Sequence, residues 1–274
     1  MNIAIVDGNS LYARSYYAAT TVNSEPSLVI EFTVNTVLSL LDPNSSKIGC
    51  FFDSTLFAWD RHQNESKKRE AKPSDYHNTK EIVKDVLSFL FGTVHVDHPD
   101  YEADDLVATA VYSAQPRDVV YVWSGDKDLM QLHGGNCQYY SLTDKAMLQA
   151  SYINRKFVNI KRPSQVAIYL AIVGDPADNI KGVTRYGPKK CKELFEAVTP
   201  DMEFEEAVNA IIAQLPKDKE EEFFASLDRT LLRTDITGIP KPATLKLVTP
   251  REVAELGIEG INDFYRQIYE AYRT

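Results

Sequence analysis

Nine acidic side chains fall where strands should end or helices begin: Asp7, Asp53, Glu102, Asp104, Asp105, Asp126, Asp128, Asp175 and Asp178. The densest group opens the stretch YEADDLVATAVYSA, with Glu102, Asp104 and Asp105 at the start of a helical pattern. Acids favour helix N-termini because the macrodipole leaves partial positive charge there. That accounts for one such group, but less readily for nine acids at equivalent places. Carboxylates gathered in one cleft repel unless cations sit among them. An all-oxygen donor set suits a hard ion: Mg²⁺ binds through a few carboxylates and keeps waters and substrate phosphate oxygens, with Mn²⁺ able to substitute. The five histidines show no H-E-x-x-H pattern, which points away from zinc. In SGDKDLMQL, Asp126 and Asp128 share one face if the chain is still extended. In GDPADNI, Asp175 and Asp178 are spaced to face one way at a helix start. Each motif has a bland reading as a capping turn; their number and order carry the case for a metal cluster.

The elements that would position these acids are legible. NIAIVD, KIGCFFD and DVVYVWSGD are short apolar runs of strand length, ending in Asp7, Asp53 and Asp126. Helical patterns lie between them, over 28–41, 76–91 and 101–114. Alternation of this kind predicts an α/β layer with a mostly parallel sheet flanked by helices. In such sheets the functional crevice lies beyond the carboxyl ends of the strands. TVHVD reads as another strand, and NCQYYSL as one near an edge. Beyond about residue 160 the pattern is helical, which predicts an α/β domain over 1–160 and a helical C-terminal domain over 161–274.

Composition is that of an ordinary globular chain, with 44% hydrophobic and 25% charged residues. There is no apolar run of transmembrane length and no signal-peptide pattern at the start. Three widely spaced cysteines form no zinc pattern and fit a reducing cytoplasm. Net charge is −9, which alone argues against a nucleic-acid partner. Its distribution argues otherwise. Residues 151–192 carry nine Lys/Arg against two Asp, whereas 193–228 carry eleven acids against two Lys. A basic segment set beside an acidic one is compatible with a focused nucleic-acid footprint.

IVDGNS, CFFDS, YEADDLVA, SGDKDLMQL and GDPADNIKGVTRYGPKKCKELF stand in an order and spacing that resembles the 5′-nuclease superfamily. That superfamily holds flap endonucleases, the 5′-nuclease domain of bacterial DNA polymerase I and phage 5′→3′ exonucleases. YEADD, DKDLMQLH and GDPADN are similar to the phage-type branch that includes the T-even phage ribonuclease H. The resemblance implies a PIN-like core and places all nine acids in a site for two or more metal ions. It also implies a helix–three-turn–helix that grips duplex backbone, here about 168–197. Lys181, Gly182, Arg185, Gly187, Lys189, Lys190 and Lys192 would form its DNA contact, with the two glycines letting the turns approach phosphates. Many members have a second glycine where this chain has VTRYG, so a K⁺ site at this hairpin stays open. An arch over about 56–76 would clamp the 5′ strand. Its basic options are Arg61, Lys67, Lys68, Arg69 and Lys72; Lys68 is the first choice for a catalytic lysine, with Lys67 close behind and Arg69 beside them. Tyr12 could stack on an unpaired base, although a core tyrosine is the stronger reading.

The expected function is a Mg²⁺-dependent structure-specific 5′-nuclease, acting on branched or nicked DNA and RNA–DNA hybrids in primer removal, replication and repair. It would be a monomer with no membrane association, and its acidic helical tail could dock a single-strand-binding protein or polymerase. Two alternatives stand beside it: a PIN-type ribonuclease for single-stranded RNA, and a non-catalytic nucleic-acid binder.

Overall fold

The computed structural model describes residues 1–22, 25–42, 44–54, 72–73 and 75–273. The chain starts with β1 (Asn2–Asp7), α1 (Gly8–Thr20), α2 (Pro26–Leu40) and β2 (Ser45–Phe51). It continues with α3 (Tyr76–Phe91), β3 (Val94–Val96), α4 (Ala103–Tyr112) and β4 (Val119–Ser124). A short 3₁₀ turn, Asp128–Leu132, leads to β5 (Cys137–Ser141), β6 (Ala146–Met147) and α5 (Ala150–Lys156). Then come α6 (Val166–Val173), α7 (Pro188–Leu194), α8 (Phe204–Ile212) and α9 (Glu220–Thr230). The last elements are β7 (Ala243–Thr244), α10 (Pro250–Ala254) and α11 (Glu259–Arg273).

The sheet runs β3-β2-β1-β4-β5-β6, with β7 also paired to β2. Pairings among β3, β2, β1, β4 and β5 are parallel, and β6 and β7 join antiparallel. This is the mostly parallel sheet flanked by helices that the alternating pattern predicts. The order reverses direction between β1 and β4, so the segments that follow them pack on opposite faces of the sheet and leave a crevice beyond the two carboxyl ends.

Side chains alternate along β1 into two cores. Ile3 and Ile5 face the layer containing α4, α6 and α9; Ala4 and Val6 face the layer containing α1, α2 and α3. Burial on both faces explains why the strands read as continuous apolar runs. Residues 161–274 are not helical throughout. Thr244 and Ala243 pair with Lys47 and Ile48, which adds a strand to the N-terminal sheet. Val253, Ile261 and Tyr265 are buried in the core that also holds α2 and α3 residues. The Tyr265 hydroxyl donates to the carbonyls of Leu90 and Val248, each at 3.1 Å. A two-residue strand carries no periodicity, so β7 has no signature in the sequence.

Candidate active site

Asp7 closes β1, and Asp53 and Asp126 lie two residues past β2 and β4. Together with Glu102, Asp104, Asp128 and Asp178 they line one cleft of about 400 Å³ at the switch point. Local hydrogen bonds fix them. Asp7 caps α1, accepting from the Ser10 amide at 2.9 Å through Oδ1 and from the Ser124 hydroxyl at 2.5 Å through Oδ2. The Ser124 oxygen accepts from the Asp126 amide at 2.8 Å, and Asp126 Oδ1 accepts from the Asp128 amide at 2.9 Å. Asp53 Oδ1 accepts from the Ala103 amide at 2.9 Å, tying β2 to the start of α4. The Tyr139 hydroxyl donates to the carbonyls of Ser124 and Asp126 at 2.9 and 2.6 Å, bracing the turn after β4.

Asp128, Asp175 and Asp178 each offer an oxygen within 4.8 Å of the others. Asp175 Oδ1 accepts from the Ala177 amide at 3.0 Å, and its Oδ2 accepts from Lys127 Nζ at 2.5 Å. The cleft is electrostatically tense. Burial pushes Asp7 up to about 7, against the lowering effect of Ser124 and Ser10, with Asp126 and Asp53 adding repulsion. Burial, then Asp126, raises Asp128 to about 8. Asp104 is held well above its ordinary value by burial and by Asp126, Asp7, Asp53 and Asp128; Asp126 is also raised, chiefly by burial. For Lys127, burial pulls the pKa down, but Asp175, Asp128 and Asp126 outweigh it and the net shift is upward. A buried Asp128 Oδ1 without a hydrogen bond, in a set of converging oxygens, fits a hard divalent ion.

Two sequence expectations are corrected, for Asp105 and Gly182, and for Tyr12 the base-stacking alternative gives way to the core reading. Asp105 does not reach the cleft: it is 1% exposed, and its Oδ1 accepts from the Arg233 amide at 2.8 Å. One residue on from Asp104 turns about 100° around the helix, so neighbours cannot share a face. Tyr12 is 0% exposed, stacks edge-on against Tyr76 at 4.8 Å and donates to the Tyr76 carbonyl at 2.5 Å, so no base can reach it. Tyr12→Phe should therefore lower stability by about 0.5–1.5 kcal/mol, through loss of a buried hydrogen bond to a carbonyl that keeps its partner within α3, and leave DNA affinity unchanged; parallel melts and binding titrations check both. Gly182 is buried, at φ +68, and a Cβ there would stand 2.4 Å from the Gly174 amide nitrogen. Its closeness serves the chain's own backbone, not a phosphate.

Gly187, by contrast, is exposed with open space around it. Lys181, Arg185, Lys189, Lys190 and Lys192 are exposed along the α6–α7 connection and on α7, and Lys190 lies 4.7 Å from the Tyr186 ring centre. Lys72 donates to the Tyr17 hydroxyl at 3.0 Å and lies 5.3 Å from the ring centres of Tyr17 and Tyr76. Arg61, Lys67, Lys68 and Arg69 lie outside the described residues. Sequence reasoning missed Arg229, Thr230 and Leu232, which line the cleft from the end of α9. Arg229 donates to the Asp178 carbonyl at 3.2 Å, and Gln131 bridges the carbonyls of Asp128 and Thr230 at 2.8 and 3.1 Å. Only the packing of α9 against α6 brings these groups in, and nothing local in SLDRTLLRT signals it.

Residues 2–159 match the family model of the 5′-3′ exonuclease, N-terminal resolvase-like domain. The chain belongs to this family. As a member of the 5′-3′ exonuclease family it is 26% identical over 251 residues to the 5′-3′ exonuclease of Mycoplasmopsis pulmonis, covering 89% of this chain and 82% of that protein. It is 26% identical over 267 residues to DNA polymerase I of Bacillus subtilis, covering 94% of this chain but only 29% of the polymerase. The fold is similar to the bacteriophage T5 flap endonuclease solved with DNA and metal ions, at TM-score 0.62 and 19% identity, over 100% of each chain. It is also similar to the catalytic core of Rad2 with DNA substrate, at TM-score 0.56 and 13% identity, over 99% of this chain and 90% of that one. Among the described residues no helix is long and apolar enough to cross a membrane.

Proposed function

We propose that this family member is a Mg²⁺-dependent, structure-specific 5′-nuclease, hydrolysing phosphodiesters at 5′ ends or flaps of DNA and RNA–DNA hybrids. The observation that carries this reading is the convergence of seven carboxylates on one cleft at the sheet's switch point. Asp7, Asp53, Glu102 and Asp104 would hold one ion; Asp126, Asp128, Asp175 and Asp178 would hold or orient a second. Bound divalent ions would lower the pKa of a coordinated water and stabilise charge on the scissile phosphate and the leaving oxygen. Ser124 and Ser10 keep Asp7 aimed into the cleft, and Tyr139 holds the β4 turn in register. One of Lys67 and Lys68, with Arg69 nearby, is proposed to add positive charge at the reacting phosphate.

The α6–α7 region is proposed as the helix–three-turn–helix that holds duplex DNA through phosphates, without sequence preference. Its basic exposed surface supports this. Arg185 stands there at φ +71, a left-handed backbone that favours glycine. A cationic side chain kept on strained backbone at an exposed turn fits a phosphate contact. Arg185→Gly should raise stability by about 0.5–1 kcal/mol, yet weaken duplex binding several-fold and reduce the salt slope by about one contact. Melts and binding titrations over a salt series read the two opposite signs.

The test of the function is cleavage of a 5′-labelled flap beside a nicked RNA–DNA hybrid, with Mg²⁺ and with EDTA. Mg²⁺-dependent cutting near the branch is expected, and shortening of the hybrid would extend the activity to primer removal. Intact binding without any cutting would sink the reading and favour a non-catalytic binder. Preference for unstructured RNA would favour the ribonuclease alternative.

A further inference from the structure

We propose that Lys127 is a tethered cation that occupies the second metal position, among Asp128, Asp175 and Asp178, until a divalent ion displaces it. The inference rests on the metal-site reading above and goes beyond it, because it assigns a role to a residue that is not itself a ligand.

Three observations carry it. Lys127 Nζ is 2.5 Å from Asp175 Oδ2 and 3.7 Å from Asp128 Oδ1, so the ammonium already bridges two of the three converging carboxylates. The oxygens it takes are those a metal would need. Asp175 Oδ1 is engaged by the Ala177 amide, which leaves Oδ2 as the oxygen aimed at the group. Asp128 Oδ1 is buried and accepts no hydrogen bond, so the lysine does not fully satisfy it. Finally, the Lys127 side chain is 35% exposed while Asp175 is 4% exposed. The ligand is fixed and the lysine has a route out. Its flexible four-carbon stem lets the head leave without moving the turn.

An ammonium and a divalent ion cannot share these oxygens. With no metal, Lys127 relieves the repulsion among Asp126, Asp128, Asp175 and Asp178; with metal, it must swing toward solvent. Lys127 therefore sets the ion concentration at which the second position fills. Its departure also frees a positive charge at the cleft mouth, where an incoming phosphate would meet it.

A purely structural ion pair predicts something else: loss of the lysine would destabilise the protein equally with and without metal. The experiment titrates Mn²⁺ into metal-free protein by calorimetry, for wild type, Lys127→Met and Lys127→Arg, with thermal melts at pH 8 alongside. Wild type should show a tighter and a weaker site. In Lys127→Met the weaker site should tighten about tenfold, which corresponds to about 1.4 kcal/mol of removed competition. The tighter site should stay within about twofold, since the local rearrangement leaves Asp7, Asp53 and Glu102 untouched. Lys127→Met should melt below wild type without metal and level with it at saturating Mn²⁺. Lys127→Arg, which keeps the charge, should titrate nearer to wild type. Unchanged or weaker second-site binding in Lys127→Met overturns the inference while leaving the metal reading intact. No Mn²⁺ binding by wild type overturns the metal reading and this inference with it.

Discussion

Asp126→Asn should reduce Mg²⁺-dependent cleavage of a flap substrate by 10²–10³-fold or more, on the order of removing one preorganised electrostatic group, and at the same time stabilise the metal-free protein. The two signs have one cause. Asp126 contributes repulsion to Asp7, Asp104 and Asp128, and all three are raised partly on its account. Replacing its charge relieves them when no cation is present. The asparagine oxygen can still accept the Asp128 amide bond that the carboxylate accepts at 2.9 Å, so the turn survives. Metal-free Asp126→Asn should therefore melt higher than wild type at pH 8, by about 1–2 kcal/mol of stability. The Mg²⁺-induced rise in melting temperature should shrink, because a ligand is lost. A variant that loses activity and stability together would point to a folding defect and would not support the metal-ligand role.

Stability of the metal-free protein should fall as pH rises from about 5 to about 8, and saturating Mg²⁺ should largely abolish that fall. Asp7 and Asp128 have folded pKa values raised to about 7 and about 8, from the ordinary value of 3.8. A raised folded pKa means the native state binds protons that the unfolded chain releases. The resulting stability is fully present below about pH 4, and is lost as pH climbs through the folded values. The fall should be on the order of a few kcal/mol, since the carboxyls ionise in competition rather than independently. Below pH 4 another set acts in the opposite direction: Glu222, held down to about 2 by Lys219 and the Thr184 amide, loses its contribution as it protonates. The metal-free optimum should thus sit on the acid side of neutrality. Divalent ions bind the ionised form, so they replace the protons and flatten the profile. Chemical denaturation at a series of pH values, with EDTA and with Mg²⁺, reads this directly. A metal-free profile that is flat, or rises toward pH 8, would contradict the clustering of these charges.

How much of this was legible in the sequence depended on whether the information was local. Asp7, Asp53 and Asp126 could be assigned to one crevice because parallel strands must end on the same side of the sheet, whatever packs around them. Asp104 and Asp105 could not be separated, since the helical phase is known only once the buried face is known. α4 buries Asp105 toward Arg233, a partner 128 residues away. Tyr12 poses the same problem at the other end of the site: its spacing fits a helix face, but not which face. The hydroxyl partner, Tyr76, lies 64 residues away. Gly182 was expected to make room for a phosphate and instead makes room for Gly174. A glycine reports that something comes close without saying what. Arg229 and Thr230 were invisible because α9 brings them to the cleft by packing against α6.

The return of the chain's last elements to the first half of the sheet has a consequence during synthesis. The Tyr265 hydroxyl bonds the Leu90 carbonyl across 175 residues, and β7 pairs with β2 across a still longer span. A ribosome adding about 5–20 residues per second needs roughly 10 to 35 s to make that stretch. Throughout that interval the apolar faces of α2 and α3 that α11 will cover lie open to water and to other nascent chains. Contacts of such separation also close slowly once available. Chaperone dependence and yield on expression should therefore respond more strongly to changes in α11 than to changes of similar chemistry on the face of α4 that packs on β1 and β2, strands already made when it emerges.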